Sequence, residues 1–234
     1  MKRNESLKIF QTGPGRDPDV GVEKAARAIR AGGLVAYPTE TFYGLGADIF
    51  SPESLEKVFL VKGRDHSKPL MVCVDHPHSL DRLVNSVPKD AAVLIDRFWP
   101  GPLTLLLPAR RGLHPALTGG KERVGVRVPG HPVARNLAAR TGNPITATSA
   151  NRSNKPGLVQ WEHVVEELGW DVDMVLAWSE ILPGVGSTII DLCESEPLLI
   201  RTGIVSPEEI QSVLGRPLKK QKEQCKMQNL SCKK

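Results

Sequence analysis

The alternation of helix and strand signals along the chain is what most constrains its fold. Residues 17–30 carry Val20, Ala25, Ala26 and Ile29 on helical spacing, and Gly32-Gly33 then supplies the residue type that ends helices in the left-handed conformation. Leu34-Val35-Ala36-Tyr37 follows as a short apolar strand stopped by Pro38. Ser51-Pro52-Glu53 opens the next helix with a capping hydroxyl, a proline at the first helical position and an acid near the positive end of the dipole. Apolar strand runs at 70–74, 103–107, 124–128 and 145–148 are interleaved with helical patterns at 88–99, 132–140 and 161–168. Three further strand runs, at 174–178, 187–192 and 198–200, crowd together before a last helix opened by Ser206-Pro207-Glu208-Glu209 and closed by Gly215. The expected class is α/β: a mixed parallel and antiparallel sheet with helices packed on it. A chain of 234 residues with 40% hydrophobic content can bury the core of one large domain, and one domain is expected.

The formal net charge of +5 is partly local. Arg216, Lys219, Lys220, Lys222, Lys226, Lys233 and Lys234 face only Glu223 after the last helix. The chain therefore divides into a lead-in at 1–17, a folded unit at 18–215 and a basic tail at 216–234 expected to be disordered. The tail has no aromatic residue to stack on bases, so it reads as a solubilising extension rather than a nucleic-acid arm. Cys73, Cys193, Cys225 and Cys232 form no C-x-x-C pair, which argues against a zinc site or a disulfide framework. No run is long and apolar enough to span a bilayer, and residues 1–10 lack the apolar stretch of a signal peptide; the expected location is the cytoplasm, with no membrane partner.

Chemistry-bearing residues collect at the predicted strand and helix ends. Lys62-Gly63-Arg64 places a point cation and a planar guanidinium two residues apart, suited to phosphate oxygens, and Ser149-Ala150-Asn151 offers a hydroxyl and an amide at the end of an apolar run. The segment from Pro38 to Gly46 leaves a strand end with glycines and threonine hydroxyls, where ligands gather in α/β sheets. Arg127 and Arg201 sit within apolar runs, where a charge needs an anionic partner to offset its desolvation; with few acids in the neighbouring strands, an anionic ligand is the expectation, a structural carboxylate the alternative. Gly120-Lys121 lacks the rest of a phosphate-binding P-loop, and Asp75, His76 and His78 read as a solvated loop, so no protein-held metal is expected.

These stretches, taken in order, resemble the YrdC-like family of threonylcarbamoyl-AMP synthases. The resemblance runs over roughly 20–215 and is carried by Tyr37 to Thr41 with Tyr43 to Gly46, Lys62 and Arg64, Lys68 to Leu70, Trp99 to Thr104, Val126 to Pro129 with His131-Pro132, Thr148 to Asn151, and Gly186 to Ile189. It implies an open, twisted YrdC/RibB-like sheet around a basic cavity, and a reaction joining L-threonine, bicarbonate and ATP, with Mg²⁺, into an adenylate used for the t6A modification of tRNA. Carried over, Lys62 and Arg64 are the catalytic cations. Arg64, Lys68, Ser149 and Arg201 hold ATP, with Lys62 and Asn151 completing the polar wall and backbone near Arg123 and Gly157 contributing. Thr41, Cys73, Arg127, Ala147 and Ser187 line the threonine pocket, Cys73 standing where some relatives place a histidine. The implied partners are other proteins that transfer the product to tRNA, and tRNA itself at the basic surface. An RNA-binding module without catalysis, and a carbamoyl-adenylating domain like that of hydrogenase maturation proteins, are the alternatives.

Overall fold

The computed structural model describes residues 7–13, 18–178, 181 and 184–220. The chain opens with β1 (Lys8–Gln11), α1 (Pro18–Arg30), β2 (Val35–Tyr37), β3 (Gly44–Gly46) and α2 (Pro52–Lys62). It continues through β4 (Val72–Cys73), a 3-10 helix (Pro77–Arg82), α3 (Lys89–Phe98), β5 (Leu103–Pro108) and α4 (Pro115–Thr118). Next come β6 (Arg123–Arg127), α5 (Pro132–Thr141), β7 (Ile145–Thr146), β8 (Thr148–Ser149) and α6 (Trp161–Leu168). The last elements are β9 (Met174–Ala177), β10 (Thr188–Asp191), β11 (Leu198–Arg201), α7 (Pro207–Leu214) and β12 (Lys219–Lys220).

The mixed α/β class holds, with the strands divided between two sheets. One runs β1-β9-β2-β3-β8 and the other β12-β11-β10-β5-β6-β4-β7, each with parallel and antiparallel neighbours. A single residue, Ala147, separates β7 in the second sheet from β8 in the first, and its N–H donates to Met71 O at 2.7 Å. The chain thus steps between sheets within one residue, leaving a seam lined by strand ends. α1 and α5 bury Val22, Ile29, Val133 and Leu137 over Tyr37, Met174 and Leu176, while a larger core holds Leu55, Leu94, Leu103, Leu105 and Ile190. α2 is started by Ser51 Oγ, which accepts from Ser54 N–H, and stopped by Gly63 at φ 55°. α7 carries a full capping box from Ser206 and Glu209.

Both ends of the folded unit extend further than the sequence places them. β1 lies in the expected lead-in yet pairs in parallel with β9. The tail boundary at Arg216 is corrected: Arg216 forms an ion pair with Asp90, Leu218 packs on the larger core, and Lys219–Lys220 pairs with β11. Backbone ladders need no apolar periodicity, so charge content alone was a poor guide here. Residues 221–234, with Cys225, Cys232 and the remaining basic tail, lie outside the described residues.

Candidate functional site

A cavity of about 310 Å³ opens at the seam between the two sheets. Thr104 reaches it from β5, Arg127 from the end of β6, Ala147 from the step between sheets, Ser149 from β8, Ile189 from β10 and Arg201 from the end of β11. Thr41, Phe42 and Tyr43 enter from the turn after β2, and Arg64 from just past α2. The left-handed Gly63 turns the chain at the helix end so that Arg64 comes to face this space. Its Nε and Nη2 donate to the carbonyls of Lys68 and Pro69, both at 3.0 Å, which fixes the guanidinium plane at the wall.

Arg127 is 6% exposed, and its Nη1 lies 3.5 Å from Glu40 Oε1 and 3.4 Å from Thr41 Oγ1. Glu40 is therefore the carboxylate the sequence left open, brought across from 87 positions away. At these lengths the contacts hold Arg127 loosely and leave donors for a further partner. Arg201 donates from Nε and Nη2 to Ser187 O at 3.1 and 2.8 Å, and from Nη2 to Ser187 Oγ at 3.1 Å; Ser187 and Thr104 hydroxyls share a hydrogen bond of 2.8 Å. Burial lowers the pKa of Arg64 and of Arg201 from the ordinary guanidinium value, the charge of Arg127 adding to the effect at Arg201. Both remain cationic, since guanidinium stays protonated in proteins, so the cavity wall carries concentrated positive charge suited to an anion.

The ring of Phe42 forms one wall and requires glycine around it. A Cβ at Gly157 would sit 2.6 Å from Phe42 Cγ, and one at Gly184 would sit 1.9 Å from its Cε1. Two separate loops thus converge on one aromatic side chain beside the cavity.

Of the residues singled out from sequence, the structure brings Thr41, Arg64, Arg127, Ala147, Ser149, Gly157, Ser187 and Arg201 to this one cavity. Five do not line it. Lys62 is 2% exposed, and its Nζ donates to Ser149 O and, at 2.6 Å, to Asn151 O, so its ammonium is consumed by carbonyls. Burial first, and the charge of Arg64 second, bring its pKa down to about 7. Asn151 points its Nδ2 to the carbonyls of Arg152 and Lys155, at 2.9 and 2.7 Å, instead of into the cavity. The Lys68 side chain is exposed outside it. Arg123 stands at the far end of β6, paired with Asp191. Cys73 is buried beside the cavity, in register with Arg127 and packed with Tyr37 in the smaller core; burial pushes its thiol up to about 12, so it presents a neutral group. Sequence reasoning missed Phe42, Met71, Thr104 and Glu40 as individual site residues; Thr104 and Glu40 lay within noted motifs, whereas nothing local marks Met71.

Among the described residues no cluster of three or more His, Cys, Asp or Glu side chains could hold a metal ion, and no helix is long and apolar enough to cross a membrane. A profile of the Sua5/YciO/YrdC family, described as "Telomere recombination", matches residues 27–203. The threonylcarbamoyl-AMP synthase of Pyrococcus abyssi is 41% identical over 191 residues, 82% of this chain and 56% of that protein. That of Bacillus subtilis is 38% identical over 198 residues, 84% of this chain and 57% of its own. The crystal structure of P. abyssi Sua5 complexed with L-threonine superposes with a TM-score of 0.87 at 38% identity, covering 91% of this chain and 62% of that one. The chain spans about half the length of these curated relatives. It belongs to the Sua5/YciO/YrdC family.

Proposed function

We propose that this chain makes threonylcarbamoyl adenylate from L-threonine, bicarbonate and ATP with release of pyrophosphate, a nucleotidyl transfer that supplies the t6A modification of tRNA. The observation that carries the reading is the convergence of three guanidinium groups, Arg64, Arg127 and Arg201, with the hydroxyls of Thr41, Thr104, Ser149 and Ser187 on one cavity. The chemistry demands such a site. The threonine amine attacks the carbon of bicarbonate, losing water to give an N-carboxylate; that carboxylate then attacks the α-phosphorus, and the bond to the β-phosphate oxygen breaks as pyrophosphate leaves. An anion must approach a polyanion, so fixed positive charge lowers repulsion and stabilises the departing group. No covalent nucleophile is required, and positioning with electrostatics suffices. Mg²⁺ enters as part of the ATP substrate, held mainly by phosphate oxygens, which fits a cavity whose lining among the described residues includes no carboxylate.

Arg127, flanked by Thr41, Ala147 and Ser187, takes the threonine carboxylate, since guanidinium pairs with carboxylate in a bidentate fork. Arg64 and Arg201 take the phosphates. The test is pyrophosphate release that requires both threonine and bicarbonate; RNA binding that weakens steeply with salt, with no such turnover, would favour the RNA-binding module instead. Arg64→Met should raise the KM for ATP at least about tenfold, the worth of one charge-assisted hydrogen bond of about 1.5 to 3 kcal/mol, with the KM for threonine little changed. Threonine should be preferred over serine by about 10- to 200-fold if its methyl group fills the apolar corner at Ala147, and equal turnover in a competition assay would remove that corner from the site.

A further inference from the structure

We infer that Lys62 is a positioning residue whose ammonium fastens the end of β8 to α2, setting where the Ser149 hydroxyl meets the nucleotide; this deepens, and rests on, the reading of the cavity as an ATP site. Lys62 Nζ donates to Ser149 O and to Asn151 O, while Lys62 O accepts from Ser153 N–H at 2.7 Å, so helix end and loop are stitched in both directions. A compact ammonium with three rotatable donors suits two carbonyls that converge from one tight loop, which a planar guanidinium fork does not match. The charge group opposite is not a carboxylate: Arg64 lies beside it, and Glu167 acts more weakly than burial and Arg64. Within the loop Asn151 Nδ2 ties the carbonyls of Arg152 and Lys155, while Asn151 Oδ1 and Ser153 Oγ are buried without a partner among the described residues, so the loop holds its own shape and Lys62 is the side chain that anchors it to the helix end from inside. Arg152 adds an outer tie, donating from Nη1 to Val61 O at 2.9 Å and, on the exposed face, from Nη2 to Asp171 at 2.8 Å. Lys62 therefore acts on the nucleotide through Ser149 and not by contact with phosphate.

The experiment is amide hydrogen exchange on the unliganded full chain, wild type against Lys62→Met and Arg64→Met. Exchange at the Asn151 and Ser153 amides should quicken at least tenfold in Lys62→Met and stay within twofold of wild type in Arg64→Met. The KM for ATP should rise at least tenfold in Lys62→Met, with that for threonine within twofold. Unchanged exchange in Lys62→Met would overturn the proposal. If that variant does not fold, scalar couplings across hydrogen bonds decide in isotope-labelled wild type: coupling from Lys62 Nζ to the carbonyl carbons of Ser149 and Asn151 supports it, and coupling only to phosphorus of added ATP overturns it. A wild type that releases no pyrophosphate would sink the proposed reaction while leaving these ligand-free measurements to decide the role of Lys62.

Discussion

Arg127→Met should lower kcat/KM for threonine by about 10² to 10³ while leaving the affinity for ATP nearly unchanged. Two losses combine. The fork proposed for the substrate carboxylate disappears, and Glu40, whose Oε1 lies 3.5 Å from Arg127 Nη1, keeps among the described residues the His131 N–H at 3.3 Å. Removing one member of a fully buried ion pair costs about 3 to 5 kcal/mol, and the cost here falls below that because the Glu40 side chain is 21% exposed and the contact is long. Part of that cost will appear as reduced stability, so the variant needs a companion. Arg127→Met with Glu40→Gln should recover most of the lost melting temperature but none of the activity toward threonine. Recovery of turnover in the double variant, or calorimetry in which ATP binding suffers more than threonine binding, would reassign Arg127.

Gly203→Ala should destabilise the protein and disable the cavity together. A Cβ at Gly203 would sit 2.2 Å from Gly186 O and 2.4 Å from both Ser187 C and Thr188 N, all of them backbone atoms that cannot swing aside. Overpacking of this kind costs about 1 to 3 kcal/mol. At the size of this chain that corresponds to a fall in melting temperature of about 2 to 12 °C. The displaced backbone carries Ser187, to whose carbonyl Arg201 donates, so pyrophosphate release should fall more than stability alone explains. Gly120→Ala is the control: Gly120 has φ +73° but nothing within 4 Å of its Cβ position, so only the left-handed backbone cost of about 1 to 2 kcal/mol applies and turnover should survive. Equal effects at the two glycines would show that contact at Gly203 is not the cause.

Helix starts were legible because their chemistry is local. Ser51-Pro52 and Ser206-Pro207-Glu208-Glu209 each satisfy helix N–H groups within four residues, and the structure caps both helices there. β3 was not legible, since Gly44-Leu45-Gly46 reads as a turn. Its glycines are dictated by the ring of Tyr37 on the paired strand, which would lie 2.7 Å from a Cβ at Gly44. β1 is four residues long, and its partner β9 lies across the whole chain, beyond the reach of any local pattern. Arg127 and Arg201 could be found because a guanidinium in an apolar run is anomalous, and Arg64 because it stands two residues from Lys62. Lys62 reads with Arg64 as a cation for phosphate because the two stand two residues apart, and only the packing of the 149–153 loop shows its ammonium buried on the carbonyls of Ser149 and Asn151. Glu40 stood in plain view within a noted motif, but its partner is a matter of tertiary distance.

The one-residue step at Ala147 makes the cavity a joint as well as a container. Any molecule seated there touches walls that belong to different sheets, with Ser149 on one side and Thr104 and Ile189 on the other. Such a guest works as mortar: slippage of one slab against the other must first evict it. Occupancy should therefore register in the melting of the entire body, growing as RT ln(1 + [L]/Kd), instead of in the ordering of a single flap.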